Sequence, residues 1–190
     1  ERLALESASV ALYSSDWAAS TAIRSYGADP SRIGVVPIGA NLEDPPDPAS
    51  VRARVGSRPS GRCHLLFLGV DWFRKGGDLA LDTARALNES GLPTTLHVAG
   101  IRELPAEART DFVVDHGFIG KGSPEGRGKI AELLGTSHFL ILPTRADCTP
   151  VVFCEADAFG LPAVTSSVGG IPTVVKDGDT GIMLSLDGWK

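Results

Sequence analysis

Residues 138–166 read HFLILPTRADCTPVVFCEADAFGLPAVTS and decide the fold, because they hold a complete strand–helix–strand unit. Two short apolar runs at its ends predict buried strands, and Thr149 and Pro150 predict a helix start as N-cap and first helical residue. The strands are expected at residues 138–142 and 163–166, and the helix at residues 150–159, where Gly160 and Pro162 end it. A unit of this kind predicts a parallel sheet.

An acid lies on the apolar side of this predicted helix. The neighbours of Glu155 at three- and four-residue spacing are all apolar, whereas Asp157 points the other way. These neighbours are Val151, Val152, Ala158 and Phe159. Because a buried carboxylate is costly without a partner, Glu155 is either a ligand-binding acid, suited to a cis-diol such as ribose, or a buried acid satisfied by a neighbouring strand.

From about residue 62 the chain repeats this alternation of apolar runs and helical stretches. The predicted strands are residues 64–68, 95–99, 112–119 and 182–184, and the predicted helices are residues 78–87, capped by Asp78, and residues 129–134. The alternation predicts an α/β, Rossmann-like, mostly parallel sheet with helices on both faces. Ligands of such sheets bind outside the carboxyl ends of the strands.

The first 45 residues have a different role. Their predicted elements are a strand at residues 9–14, a helix at 17–26 and a strand at 33–37. A linker rich in Pro, Asp and Gly follows at residues 39–50. One strand–helix–strand unit is too small for a domain. We therefore expect residues 1–45 to be the last such unit of a preceding domain plus linker, and residues 46–190 to be the ligand-binding domain.

The composition argues against several classes of protein. Of the 190 residues, 43% are hydrophobic, which is enough for a packed core. The net charge is −5 and no Lys/Arg cluster is present, which argues against nucleic-acid binding. No apolar run is long enough to span a bilayer, while peripheral membrane contact stays compatible with the sequence. The odd number of cysteines suits a reducing, cytoplasmic compartment.

The cysteines and histidines match no metal-binding pattern. Their spacing fits no zinc motif, and each histidine lies in or beside an apolar run. We expect no metal site, buried hydrophobic roles for the cysteines and structural roles for the histidines. These residues are Cys63, Cys148, Cys154, His64, His97, His116 and His138.

The first candidate site follows the strand at residues 64–68. Gly69 and Gly76 let a ligand approach the backbone, a helix begins here, and Arg74 and Lys75 add positive charge. This combination suits a phosphate, although the turn matches neither a P-loop nor a Gly-x-Gly-x-x-Gly motif. A basic surface turn is the alternative.

The second candidate site precedes the helix at residues 150–159. Asp147 can accept a hydrogen bond from a hydroxyl, and the free N–H groups of Val151 and Val152 can hold a phosphate or a sugar oxygen. A turn role is the alternative for Asp147.

Two further strand ends carry glycines. The pair Gly169 and Gly170 brings backbone amides close to the sheet edge, and Ile119, next to Phe118, is suited to flank a base. The alternatives are a tight turn without a ligand and ordinary core packing.

In this order the elements resemble the donor-binding half of a group 1 (family four) retaining glycosyltransferase with the GT-B fold. The resembling stretches are SSDWAA at residues 14–19, YG at 26–27, VVPIGAN at 35–41, FLG at 67–69, KG at 75–76, GGIP at 169–172 and DGDTG at 177–181. The element from Asp147 to Glu155 is similar to the family's Glu-x7-Glu element. The likeness runs over most of the chain, and the ordered set is more specific than any one motif.

The resemblance implies roles for individual residues. Glu155 matches the acid that binds the ribose hydroxyls, and Asp147 matches the acid that contacts the donor sugar. Lys75, with Arg74, would neutralise the leaving diphosphate without a metal ion. The residues that would line the sugar, diphosphate and base pocket are Gly69, Gly76, Ile119, Thr149, Pro150, Val151, Val152, Gly169 and Gly170.

Three positions depart from the family pattern. Asp147 replaces a glutamate and has a side chain one methylene shorter. Val70 stands where the family has an arginine, a role that Arg74 would take over. Thr173 stands where the family often has a glutamate.

The resemblance implies glycosyl transfer from a nucleotide sugar with retention at the anomeric carbon and without a metal or other cofactor. The acceptor, a sugar or a lipid, would be bound mainly by the N-terminal domain, of which only the last strand–helix–strand is expected here. The C-terminal domain would also be truncated, so we expect this chain to bind donor but to transfer little or nothing. The alternatives are a GT-B sugar-nucleotide 2-epimerase and a non-catalytic nucleotide-sugar-binding module.

Overall fold

The computed structural model describes residues 2–189 and contains two parallel sheets. The small sheet pairs β1 (Ala11–Tyr13) with β2 (Ile33–Val35). The large sheet contains β3 (Cys63–Leu68), β4 (Thr94–Ala99), β5 (Val113–Asp115), β6 (Phe139–Leu142), β7 (Ala163–Ser166) and β8 (Gly181–Leu184). The helices are α1 (Arg2–Ser7), α2 (Asp16–Tyr26), α3 (Pro48–Gly56), α4 (Gly77–Glu89), α5 (Pro124–Thr136), α6 (Val151–Ala158) and α7 (Ile171–Val174).

The strand order of the large sheet is β5-β4-β3-β6-β7-β8. The chain runs outward from β3 to β5, returns to the centre at β6 and then runs outward to β8. This is the doubly wound order, and its direction reverses between β3 and β6. Such a reversal opens a crevice at the carboxyl ends of the two strands, where ligands of this architecture bind. The predicted fold class is therefore confirmed.

The core lies on both faces of the two central strands. Residues 65–67 of β3 and 140–142 of β6 are consecutive and all buried. A central parallel strand is covered by helices on both faces, which is why its sequence is a continuous apolar run rather than an alternating one. No helix within residues 2–189 combines the length and the hydropathy that a membrane crossing needs.

The starts of two helices differ from the prediction. Thr149 is not the N-cap of α6, because its hydroxyl is hydrogen-bonded to the Ser14 hydroxyl at 2.7 Å, and the N-cap is Pro150. Asp78 is not the N-cap of α4 either. That position is Gly76, and Asp78 instead accepts two hydrogen bonds from Arg145, at 2.9 and 2.7 Å. In both cases a tertiary partner replaces the local capping bond.

Two other boundaries also differ. The strand predicted at residues 112–119 ends at Asp115, whose carboxylate accepts a hydrogen bond from the Gly117 N–H at 2.8 Å. Gly117 adopts a left-handed φ of 62°, so the chain turns and leaves Ile119 in a loop. Helix α3 begins inside the predicted linker, where Asp47 caps it.

Candidate functional site

The turn after β3 and the segment after β6 are hydrogen-bonded to each other at the crevice. The Arg74 carbonyl accepts from the Arg145 N–H at 2.8 Å and from the Thr144 hydroxyl at 3.0 Å. The Arg74 guanidinium in turn donates to the Ala146 carbonyl at 3.1 Å. These bonds bring the two predicted sites, which are 70 residues apart in sequence, into one structure.

Gly76 is required where the two segments cross. Its φ is 76°, and a Cβ at this position would lie 2.1 Å from the Pro143 carbonyl oxygen. Any other side chain would push the turn after β3 away from the segment after β6. Gly76 therefore sets the distance between the predicted phosphate turn and Asp147.

The first acid lies in a cluster of positive charge. The Lys75 ammonium donates to Asp147 Oδ2, and each of these side chains is only 12% exposed. Arg74 Nη1 lies 3.9 Å from the same carboxylate oxygen, while Arg74 also contacts Asp71 at 3.4 Å. The structure thus brings Lys75, Arg74 and Asp147 together, with the acid paired to the lysine.

The second acid is buried, as predicted, but its partner was not predicted. Glu155 is 1% exposed, and the Lys121 ammonium lies 2.5 Å from Oε1 and 2.6 Å from Oε2. Lys121 comes from the loop between β5 and α5, 34 residues earlier in the chain. In the sequence, Lys121 is a lone cation beside the predicted base-flanking stretch. This position could have identified it as the partner of Glu155, because a buried acid needs a cation beside it. Asp157 is exposed, as expected.

A cavity of about 250 Å³ joins several predicted residues. Its lining includes the turn after β3, the loop after β5 and the first turns of α6, and the predicted members are Gly69, Ile119, Val151, Val152 and Glu155. Val151 and Val152 are the first residues of α6, so their N–H groups lack acceptors within the helix. The cavity is therefore lined by the two residues with free helix N–H groups and by Glu155, whose carboxylate is paired with Lys121.

The double glycine packs against the backbone that carries the first acid. A Cβ at Gly169 would lie 1.8 Å from the Asp147 carbonyl oxygen, and one at Gly170 would lie 1.6 Å from that of Cys148. The Gly170 N–H donates to the Asp147 carbonyl at 3.1 Å, so this amide is not free for a ligand. Close packing of two loops accounts for both glycines.

The segment before α2 also contacts the site, which the sequence did not predict. Besides the bond from Ser14 to Thr149, the Thr173 hydroxyl accepts from the Asp16 N–H at 3.1 Å and donates to its carboxylate at 2.9 Å. Thr173, which departs from the family pattern, therefore binds the start of α2. The β1–α2 connection and the large domain meet next to Asp147.

The four histidines form one row across the sheet, from β6 through β3 and β4 to β5. His64 Nδ1 lies 3.0 Å from His97 Nε2, and His97 Nδ1 lies 3.1 Å from His116 Nε2. The His64 N–H donates to His138 Nδ1 at 2.9 Å. Burial, with His116 and His64 nearby, lowers the pKa of His97 to about 4. Over residues 2–189, no group of three or more His, Cys, Asp or Glu side chains is placed to hold a metal ion.

Comparison with known proteins places the chain in a family. The family model described as "Glycosyl transferases group 1" matches residues 62–188. A D-inositol 3-phosphate glycosyltransferase of Rhodococcus erythropolis is 31% identical over 173 residues, which cover 84% of this chain and 38% of that protein. One of Xylanimonas cellulosilytica is 32% identical over 179 residues, with coverages of 85% and 41%. The chain thus spans about two fifths of the length of these curated relatives.

Solved structures share the fold. The sucrose-phosphate synthase of Thermosynechococcus elongatus superposes with a TM-score of 0.73 at 21% identity, covering 99% of this chain and 48% of that one. WaaG, a glycosyltransferase involved in lipopolysaccharide biosynthesis, gives 0.68 at 22% identity, with coverages of 92% and 48%. The family match and the fold together confirm the resemblance: this chain belongs to the group 1 glycosyltransferases and has a Rossmann-like domain of the GT-B fold.

Proposed function

We propose that this chain binds the nucleotide-diphosphate sugar of a retaining glycosyltransferase. The observation that carries the proposal is the arrangement around α6. Asp147 lies ahead of the helix with Lys75 and Arg74, and Glu155 lies within it, buried at the wall of a cavity. One acid ahead of the helix and one within it suit a ligand with a charged group at one end and a diol at the other.

Each part of the donor has a chemically matched partner in this arrangement. The ribose hydroxyls would donate to Glu155, and the base would lie near Ile119. The diphosphate would accept from the N–H groups of Val151 and Val152, where the dipole of the helix favours negative charge. Transfer would break the bond between the anomeric carbon and a diphosphate oxygen and form one from that carbon to an acceptor hydroxyl oxygen, whose proton would pass to the departing diphosphate. Lys75 would stabilise the charge that develops on the diphosphate oxygen.

The pairing of Lys75 with Asp147 gives the shorter acid a function. A bound diphosphate would compete with Asp147 for the lysine ammonium. The carboxylate would then be released towards the sugar, within reach of its hydroxyls. Because Lys75 and Arg74 supply two positive charges at this end, we propose that transfer proceeds without a metal ion.

The acceptor would be bound by a region outside these 190 residues, in a protein as long as the relatives. The small β1–β2 sheet would lie next to that region. We propose a sugar or a lipid as acceptor, with peripheral membrane contact in the latter case. For the 190 residues alone we expect donor binding without appreciable transfer.

The test is a calorimetric titration with UDP, GDP and ADP and their glucose conjugates. We expect one base to bind, and Glu155→Ala to weaken its diphosphate at least tenfold, because the ribose loses a charged acceptor. The matched control is Asp157→Ala on the exposed side of the same helix, which should change the affinity less than twofold. Failure of every nucleotide to bind, or equal effects of the two variants, would refute the proposal.

A further inference from the structure

Lys121 occupies the atoms that a ribose would need. Its ammonium lies 2.5 and 2.6 Å from the two carboxylate oxygens of Glu155, so one cation takes both. The acid is 1% exposed, and no other side chain or backbone group within residues 2–189 donates to it. Because the acid is buried and Lys121 bridges both of its oxygens, a ribose that approaches Glu155 competes with the ammonium for them.

The side chain of Lys121 can leave without a movement of its backbone. Its side chain is 40% exposed, whereas its acid partner is buried. Its carbonyl oxygen accepts a hydrogen bond from Arg127 at 3.1 Å, and Arg127 pairs with Glu43 at 3.1 Å. The backbone is thus anchored, while the flexible four-carbon side chain reaches water on the outer side.

Lys121 also lines two cavities. The cavity of about 250 Å³ at Glu155 and a neighbouring one of about 350 Å³ are both lined by Asn41, Lys121 and Ile130. Pockets for small ligands usually measure about 300–1,000 Å³. The cavity at Glu155 is smaller than this range, and its neighbour is near the lower end. Withdrawal of the lysine side chain would open one cavity to the other and make room for a nucleotide.

We propose, on the basis of the proposed function, that Lys121 competes with ribose for Glu155 and thereby makes the site select phosphorylated nucleotides over nucleosides. A neutral nucleoside that displaces the ammonium leaves a cation without its partner. A nucleotide brings phosphates, and Val151 and Val152, which would hold them, line the same cavity as Lys121, so the phosphates supply a new negative charge for the displaced cation. Lys121 therefore lowers the affinity for the nucleoside more than the affinity for the nucleotide. The site gains specificity because the unwanted ligand binds more weakly.

The test compares Lys121→Gln with the wild-type chain in titrations with uridine, guanosine and adenosine and with their diphosphates. The variant should bind the matching nucleoside about three- to tenfold more tightly, while its affinity for the diphosphate changes less than about twofold. The matched control is Lys129→Gln, which removes an exposed lysine of α5 that pairs with Glu132 at 3.0 Å. This control should change neither affinity.

A second readout needs no variant. Added sodium chloride screens the partly exposed ion pair, so wild-type nucleoside binding should become tighter as the salt concentration rises. A neutral ligand without a charged competitor would show no such gain, and Lys121→Gln should abolish it. This measurement decides the question even if the variant does not fold.

The outcomes separate the inference from the proposed function. Weaker binding of nucleoside and diphosphate alike would make Lys121 a support for Glu155 and overturn the inference. Unchanged nucleoside affinity in the variant, with no salt effect, would also overturn it. In both cases diphosphate binding by the wild-type chain would leave the proposed function standing, whereas no binding by either protein would refute both.

Discussion

The two lysine–acid pairs beside α6 differ in how firmly they are held. At the Asp147 end both side chains are only 12% exposed, whereas at the Glu155 end a buried acid pairs with a lysine that is 40% exposed. The spacing of the acids in the sequence gives no sign of this difference. It arises from what surrounds each lysine.

The surroundings of the first pair are close-packed. The backbone of Asp147 is backed by Gly169 and Gly170, with no room for a methyl group, and Lys75 packs under Gly69. The Lys121 backbone is anchored by Arg127, but its surroundings are more open, since a Cβ at Gly122 would meet nothing within 4 Å. The close packing suits a lysine that stays in place while a diphosphate displaces its acid partner, and the exposed lysine suits a side chain that itself moves away when a ligand binds.

Removal of Lys75 should have the largest effect and act opposite to removal of Lys121. Lys75→Met keeps the aliphatic part of the side chain but removes the charge. We expect diphosphate affinity to fall about 100-fold, because a nearly buried, charge-assisted contact is lost, and nucleoside affinity to stay within about twofold. Calorimetry with the diphosphate and its nucleoside measures both.

The Lys75 variant leaves Asp147 without its main partner, so folding must be checked separately. The double variant Lys75→Met/Asp147→Asn removes both charges and should recover thermal stability without recovering diphosphate binding. A variant that loses nucleoside and diphosphate binding equally would contradict a special role for Lys75 at the diphosphate.

The difference in packing predicts a smaller effect on stability. Gly170→Ala places a methyl group 1.6 Å from the Cys148 carbonyl oxygen, and its φ of −89° involves no strain of its own, so any loss comes from the clash. We expect the free energy of unfolding to fall by about 2 kcal/mol, as for overpacking of a well-packed site. Urea unfolding measures it, and Gly122→Ala, in open space, is the matched control. Equal stability of the two variants would show that the Asp147 loop is as free as the Lys121 loop.

The strands, the sheet class and the burial of Glu155 could be predicted from the sequence, because each depends on local patterns. Apolar runs identify the central strands, and the apolar neighbours of Glu155 place it inside. The carboxyl-edge rule then put residues 69–77 and 147–155 together before any contact was known. Local sequence patterns were therefore sufficient to predict the strands and the position of the site.

The partners of the polar groups could not be predicted in the same way. The hydrogen bond between Thr149 and Ser14 joins residues 135 positions apart in the sequence. The prediction of Thr149 as an N-cap was wrong because it considered only neighbouring residues. The partner of Glu155 lies in the loop after another strand, and which of the five lysines arrives there depends on strand order and loop path. The histidine row likewise exists only because four separate strands lie side by side.

That row crosses the strands that lead to the two lysine–acid pairs, and its protonation should give the smallest effect. His116 follows β5, whose loop carries Lys121, and the row runs through His97 to β3 and β6, which lead to Lys75 and Asp147. Burial, the first cause in each case, lowers the pKa of His64, His97 and His116, that of His97 to about 4. The native state therefore binds fewer protons than the unfolded state below pH 6.5.

Stability should consequently be complete above pH 6.5 and fall as the pH is lowered towards 4. For His97 we expect a loss on the order of 1–2 kcal/mol, reduced from the full shift because water reaches the half-buried ring. Urea unfolding between pH 7 and 5, above the range where carboxylates titrate, measures the slope. His97→Gln should be less stable at pH 7 but show a flatter slope. An unchanged slope would mean that the imidazoles accept protons without weakening the sheet that carries both pairs.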